Sequence, residues 1–246
     1  MLRGLWKLTW LEIKIFLREP LGVLGSIGMP LVFFLVVARL GGARSTPPPD
    51  APAAVIAMLP VLGALLVAVG AGQSLVAVIS IYREGGILKR LRATPLRPVT
   101  ILSAHVVVKL LLSAVSLALM IVAGRRFIPA GAAVPVVDFA LALLLCTLSV
   151  LSIGFIIASV VPTARFAQPV ASLVFYPFMA LALAPIDSLP AALQIVTRLT
   201  PFFHAASLLR GLLRGDGWLA HASDVLSLAV IFVVCTALSS RVFRWE

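Results

Sequence analysis

The chain has 246 residues, of which 61% are apolar and only 12% charged, and its formal net charge is +11. A water-soluble protein of this size cannot hide that much apolar surface, so the composition excludes a soluble domain and predicts a polytopic membrane protein. The positive charge does not indicate nucleic-acid binding, because cations placed between apolar segments are what membrane orientation requires.

Residues 1–18 predict an amphipathic helix that lies in the plane of the membrane surface. The four cations of this segment fall on one stripe of a helical wheel, apart from an arc that contains Trp6 and Trp10. Tryptophans beside a basic stripe are typical of an interfacial helix. A secretory signal peptide is disfavoured by Glu12 and Glu19 and by the lack of a clear small-residue cleavage site.

Six apolar runs follow, and all but the fifth, which is short, have the length of roughly 20 residues that a helix needs to cross the hydrocarbon core. They are residues 20–38, 53–81, 100–122, 137–161, 169–184 and 221–240. These runs predict an all-α fold with six transmembrane helices in a single transmembrane domain, residues 1–246. The second run contains a small and polar patch around Gln73, and the third contains Lys109, which we expect to snorkel towards the inner interface rather than to contact substrate.

The connections between these runs carry further predictions. Residues 162–168 predict a tight inner loop. Residues 185–217 contain two proline-bounded amphipathic pieces, each too short to span, which indicates a re-entrant outer hairpin before the last helix. Three consecutive prolines at 47–49 exclude a helix in the first external loop.

The longest polar segment, residues 82–98, lies between the second and third apolar runs and carries five cations. Ile87, Leu88 and Leu91 fall on one face of a helical wheel, with the neighbouring cations outside that face. The pattern ends at Thr94 and Pro95, because proline cannot continue the hydrogen-bond ladder. The segment predicts a short cytoplasmic helix that docks its apolar ridge into a partner protein. A solvated basic loop that only fixes topology is the alternative.

The run from Arg83 and Glu84 through two glycines and an aliphatic pair to Thr94 and Pro95 resembles the cytoplasmic coupling segment of ABC-2 type transporter permeases. One departure is Ile87, where that family often has threonine. The resemblance extends to residues 189–211, since a Leu-Pro, an aliphatic run, a proline and a Leu-Arg-Gly end also precede the last span of those permeases. It implies that the residues coupling the chain to an ATPase are Arg83, Glu84, Ile87, Leu88, Leu91, Thr94 and Pro95.

The resemblance also implies the location, the substrate class and the partner proteins of the chain. It implies the permease subunit of an ABC exporter in a bacterial-type cytoplasmic (inner) membrane, handling a drug-like, lipid-linked or polysaccharide substrate. The permease would form a dimer with a second copy or a paralogue and would contact membrane lipid. Two separate ATPase subunits would bind ATP and Mg, and the chain itself would need no cofactor.

The residues themselves also argue against enzyme chemistry. None of the four lysines follows a glycine, so the chain lacks the Gly-Lys-Ser/Thr end of a phosphate-binding loop. The three histidines are far apart in the sequence, without metal-ligand spacing, and no carboxylate pair lies in mid-membrane. A permease is therefore favoured, with a membrane-embedded lipid-modifying enzyme or a passive channel as the alternatives.

A substrate path is predicted at Phe33, Gln73, Phe175 and Tyr176. For Gln73, a hydrogen bond between helices is an equal alternative. For the aromatic side chains of the fifth span, lipid contact or packing is the safer expectation.

The distribution of positive charge predicts that both termini are cytoplasmic. With this orientation, the inner side carries four lysines and arginines in residues 1–18, five in 82–98, one in the inner loop and two at the C-terminus, twelve in all. The outer side carries seven. An excess of cations on the cytoplasmic side is the known rule for such proteins.

Overall fold

The computed structural model of the protein describes residues 2–18, 24–28, 31–32, 35–36, 53–86, 98–124, 135–161 and 163–242. Within these ranges the chain is helical and contains no strand, in agreement with the predicted all-α class. Its helices of eight residues or more are α1 (Leu2–Arg18), α2 (Ala53–Glu84), α3 (Pro98–Gly124), α4 (Val136–Val160), α5 (Ala164–Leu183), α6 (Ala191–Arg198), α7 (Pro201–Arg214) and α8 (Ala222–Val242). A π-helical turn forms at Leu24–Gly28 and a 3-10 turn at Ile186–Ser188.

Four helical stretches among the described residues are long and apolar enough to cross a bilayer. They are Val61–Glu84 within α2, Val136–Val160, Ala164–Leu183 and Ala222–Val242. The predicted first span, residues 20–38, lies largely outside the described residues. The described apolar part of α3, Ser103–Leu119, is shorter than the other four. The chain is therefore a membrane protein, and the count of six spans stays a prediction.

The connection between α4 and α5 is shorter than the sequence predicts. Helix α5 begins at Ala164, so the predicted loop at 162–168 is wrong for most of its length, and Pro169 and Pro177 lie inside the helix. Pro169 is the sixth residue of the helix and has no amide hydrogen to donate to the Arg165 carbonyl, so the helix lacks one backbone hydrogen bond there. Packing of the buried Ala167 and Ala171 in the core stabilises the early turns of α5.

The end of α2 also differs from the prediction. Tyr82, Arg83 and Glu84 continue the helix of the second span instead of starting the coupling segment. The helix stops at the glycine pair that follows, where Gly86 has a φ of +65°, a conformation that glycine adopts without steric cost. Residues 87–97 lie outside the described residues, so the coupling helix itself stays a prediction.

Helices α6 and α7 occupy the segment predicted as a re-entrant hairpin. With 8 and 14 residues, both are too short to cross a bilayer. Helix α7 packs against α2, α4, α5 and α8, and Phe202, Leu208 and Leu209 on it are buried. It therefore lies inside the bundle, and its entry into the membrane stays a prediction.

Helices α2, α4 and α5 meet closely at Gly72. A Cβ at this position would lie 2.9 Å from Phe175 Cε2 on α5 and 2.9 Å from Val150 Cγ1 on α4. On the facing side of α4, a Cβ at Gly154 would lie 3.3 Å from the Gly72 carbonyl oxygen. Small residues allow helix backbones to approach in this way inside a membrane. The close packing at Gly72 fixes the spacing of the three helices whose ends form the site described below.

Candidate functional site

Arg83, at the end of α2, donates hydrogen bonds to the last carbonyl groups of α4. Its Nη1 lies 2.9 Å from the Ala158 oxygen and 3.0 Å from the Ser159 oxygen, and its Nη2 donates to the Val161 oxygen. The last carbonyls of a helix have no partner within the helix and carry a partial negative charge. The guanidinium group therefore caps α4 and neutralises its C-terminal dipole.

Glu84, the next residue, makes the complementary contact with α5. Its Oε2 accepts a hydrogen bond of 2.9 Å from the backbone amide of Ala164, the first residue of that helix. Thr163 stands at the N-cap position but makes no side-chain capping bond. A carboxylate is favoured at a helix N-terminus, where the dipole is positive. Glu84 thus takes the role that the local N-cap residue leaves open.

Arg83 and Glu84, which we call the helix-capping pair, connect three helices through adjacent side chains. The cation meets the negative end of α4 and the anion meets the positive end of α5, so each charge has the sign that its helix terminus favours. Both contacts are charge-assisted, the stronger class of hydrogen bond. The pair lies at the start of the predicted coupling segment, residues 82–98. A displacement of that segment would therefore pull on the connection between α4 and α5.

Helix α3, which follows the predicted coupling segment, is held by contacts with α1 and α2. His105 on α3 lies with its Nδ1 2.6 Å from Glu12 Oε2 on α1, and its ring meets the edge of Tyr82 at a centroid distance of 5.4 Å. One turn further, Lys109 Nζ lies 5.2 Å from the ring centroid of Phe16. Lys109 is only 6% exposed. These contacts join α1 to α3 and bring both next to the end of α2.

The residues predicted to line a substrate path have different surroundings in the single chain. Gln73 donates through Nε2 to Ser172 Oγ at 2.9 Å, which is a hydrogen bond between α2 and α5. Phe175 is fully buried and packs edge-on against Phe202, whereas Tyr176 is 47% exposed. Phe33 lies outside the described residues. So do five of the predicted coupling residues, namely Ile87, Leu88, Leu91, Thr94 and Pro95.

A second polar cluster lies towards the N-terminal end of α4, away from the helix-capping pair. There Asp138 accepts a hydrogen bond of 2.8 Å from Trp218 Nε1. Arg210 on α7 donates to the carbonyl oxygens of Ala206 and Ala182. Burial, together with the nearby charge of Arg214, lowers the pKa of the Arg210 guanidinium, although arginine remains protonated in proteins.

Asp224, in the first turn of α8, is the centre of this second cluster. Its carboxylate receives His204 Nδ1 at 2.8 Å, Ser207 Oγ at 2.7 Å and His221 Nδ1 at 3.0 Å. His204 and His221 are far apart in the sequence, yet both contact Asp224, because residues 215–221 turn the chain back onto α7. Among the described residues, no group of three or more His, Cys, Asp or Glu has a metal-binding arrangement.

Sequence reasoning missed the intrachain partners of these side chains. The resemblance gave Glu84 only a role towards a separate ATPase, and the structure adds a partner in the same chain, the backbone amide of Ala164. A usable signal was present, since the predicted topology already puts the end of the second span and residues 161–165 on the same side of the membrane. For the cluster at Asp224, a buried carboxylate early in the last span was the signal that required a partner.

Comparison with known families agrees with this architecture. The family model for the ABC-2 type transporter matches residues 3–213, which includes the helix-capping pair and ends within α7. Members of this family are the membrane component of ABC transporters and are not themselves enzymes. No curated protein gives a significant match. From its match over most of the sequence and its bundle of apolar helices, the chain belongs to the ABC-2 type transporter family.

Proposed function

We propose that this chain is the permease subunit of an ATP-driven exporter, acting as a dimer with two separate ATPase subunits. It would export a drug-like, lipid-linked or polysaccharide substrate across a bacterial-type inner membrane, with both of its termini in the cytoplasm. The observation that supports this most directly is the helix-capping pair. It ties Arg83 and Glu84, at the start of the predicted coupling segment, to the inner ends of α4 and α5.

The proposal divides the predicted coupling residues into two groups. Ile87, Leu88 and Leu91 form the apolar ridge that meets the ATPase, and Thr94 with Pro95 ends their helix. Arg83 and Glu84 act within the permease and transmit the movement of that ridge to α4 and α5. A charged pair whose partners lie in its own chain does not need an ATPase cation to balance it.

A movement at the inner ends of α4 and α5 is transmitted to the rest of the bundle through their contacts with α2. Helices α4 and α5 both contact α2 at Gly72, so a change at their inner ends turns them about a close packing point. Tightly packed interfaces tend to switch between discrete arrangements instead of deforming continuously. Gln73 and Tyr176 are the described candidates for the substrate path. Only 11% of the most apolar stretch of α8 is buried in one chain, which leaves surface for lipid and for a second permease.

Co-purification tests the proposal. The tagged chain is extracted from its native membrane in mild detergent, and the material is analysed for bound proteins and for ATP hydrolysis. We expect an ATPase subunit to co-purify with the chain and the complex to hydrolyse ATP. The isolated chain should neither bind nor hydrolyse ATP. ATP binding by the isolated chain would contradict the division of labour, and a passive channel would be indicated by solute flux without any ATPase.

A further inference from the structure

The outer polar cluster, which we define as His204, Ser207, Asp216, His221 and Asp224, joins α7 to the start of α8. His204 and Ser207 lie one turn apart on α7, so both donors face the same carboxylate of Asp224. The carboxylate is buried, with only 7% of the residue exposed. Asp224 is therefore a positioning residue that holds α7 against the last helix.

The hydrogen-bond geometry determines which histidine nitrogen carries a hydrogen. A carboxylate can only accept, so Nδ1 of both His204 and His221 must donate to Asp224. In neutral His221 the other nitrogen, Nε2, is then an acceptor. It lies 3.5 Å from Asp216 Oδ2, which is also an acceptor. Two acceptors that face each other repel.

Protonation of His221 reverses this interaction. The imidazolium donates from both nitrogens and stands between the carboxylates of Asp224 and Asp216, so repulsion becomes a charge-assisted hydrogen bond. The other titratable side chains of this region are Arg210 and Arg214 on α7, Arg198 on α6, and Asp138 and Cys146 on α4. Asp138 is engaged by Trp218, and the two arginines of α7 are fixed positive charges.

The His221 ring packs against α7 and restricts the separation of α7 from α8. Helix α7 packs against α2, α4, α5 and α8 in the half of the bundle opposite the helix-capping pair. The ring of His221 lies so close to Gly211 that a Cβ on Gly211 would reach 1.8 Å from His221 Nε2. Separation of α7 from α8 therefore requires the His221 ring and the turn that carries it to move.

We propose that protonation of the outer polar cluster from outside the cell strengthens the contact between α7 and α8 and so keeps the outer half of the permease closed. This rests on the proposed function for the assignment of that side as external and of the helix movement as part of export. The imidazolium form of His221 gains a hydrogen bond to Asp216 in the closed arrangement, so a lower outside pH favours that arrangement and a higher pH disfavours it.

Hydrogen–deuterium exchange of the full chain in lipid nanodiscs tests the proposal without an ATPase or a substrate. Protection factors of the backbone amides of 201–214 are compared at about pH 5.5 and 7.5. We expect about tenfold greater protection at the lower pH, the scale of one charge-assisted hydrogen bond. Equal protection of the unmodified chain at the two pH values would overturn the proposal.

Asp216→Asn is the informative variant because Asp216 is exposed and its replacement has the same shape. The asparagine amide can donate to neutral His221, so the repulsion disappears and the pH dependence of 201–214 is expected to decrease, while the contact with Asp224 remains. Asp187→Asn, which removes an exposed carboxylate outside the cluster, is the matched control and should keep the full dependence. An undiminished dependence in Asp216→Asn, or a decrease in Asp187→Asn, would refute the role of the cluster. A lack of ATP-driven transport would count against the proposed function and leave this measurement intact.

Discussion

Gly72→Ala is the substitution whose effect the structure predicts most directly. The new methyl group would lie 2.9 Å from Phe175 Cε2 and 2.9 Å from Val150 Cγ1, closer than carbon atoms normally approach. Overpacking of this kind costs about 1–3 kcal/mol in free energy of unfolding. For a chain of this length, each kcal/mol lowers the melting temperature by roughly 2–4 °C, so we expect Gly72→Ala to melt about 2–12 °C below a glycine-to-alanine variant that creates no such contact.

Gly70→Ala is the matched control, since it makes the same chemical change two residues away on the same helix. A Cβ at Gly70 would have no atom within 4 Å. Both variants gain the helix propensity of alanine over glycine, about 1 kcal/mol, so their difference isolates the packing effect.

The assay is thermal unfolding in detergent, followed by intrinsic fluorescence. Adding Phe175→Leu to Gly72→Ala should recover part of the loss, because it removes the ring atoms that meet the methyl group. Equal melting temperatures for the two alanine variants would refute the close packing of α2, α4 and α5.

Three further predictions concern two other contacts and the membrane topology. Trp218→Phe removes the hydrogen bond to Asp138 and should lower stability by about 1 kcal/mol in thermal unfolding; an unchanged melting temperature would show that the bond contributes nothing. Glu12→Gln weakens the pairing with His105 and should make α1 more accessible to protease, whereas the exposed Lys7→Gln should not; equal cleavage of both variants would contradict that anchor. Reporter fusions test orientation, and a cytoplasmic signal after Pro49 would contradict the six-span topology. Cytoplasmic signals are expected after Arg97, Arg165 and Glu246, and external signals after Pro49, Arg126 and Asp187.

The sequence predicts the helices well because each spanning segment depends mainly on its own apolar length. The bounds of α2, α3, α4 and α8 lie within a few residues of the predicted runs. The start of α5 was missed because Pro169 was taken as a helix boundary, whereas packing of Ala167 and Ala171 in the core stabilises helical turns on both sides of it. The end of α2 was missed because polarity assigned Arg83 and Glu84 to the separate coupling segment, whereas they continue α2 and their partners are helix ends.

The sequence does not predict which polar groups contact one another between helices, for a physical reason. Which carbonyl groups Arg83 meets depends on how α4 is rotated and how far it extends, and apolar packing along its whole length sets both. The same holds for Asp224, since its partner His204 comes from a helix that was expected at the outer face and packs inside the bundle. Residues 87–97, which the resemblance singles out most strongly, lie outside the described part of the chain.

Transport by an Arg83→Gln variant tests the central claim most directly. The permease and its co-purified ATPase are reconstituted in proteoliposomes, and ATP-dependent movement of a co-purified lipid or drug is measured. Arg165→Gln, which removes an exposed cation near the same helix ends, is the matched control. We predict that both variants assemble with the ATPase, that Arg83→Gln lowers transport by roughly tenfold or more, and that Arg165→Gln stays near the unmodified rate. Unimpaired transport by assembled Arg83→Gln would contradict the claim that the helix-capping pair couples the permease to ATP hydrolysis.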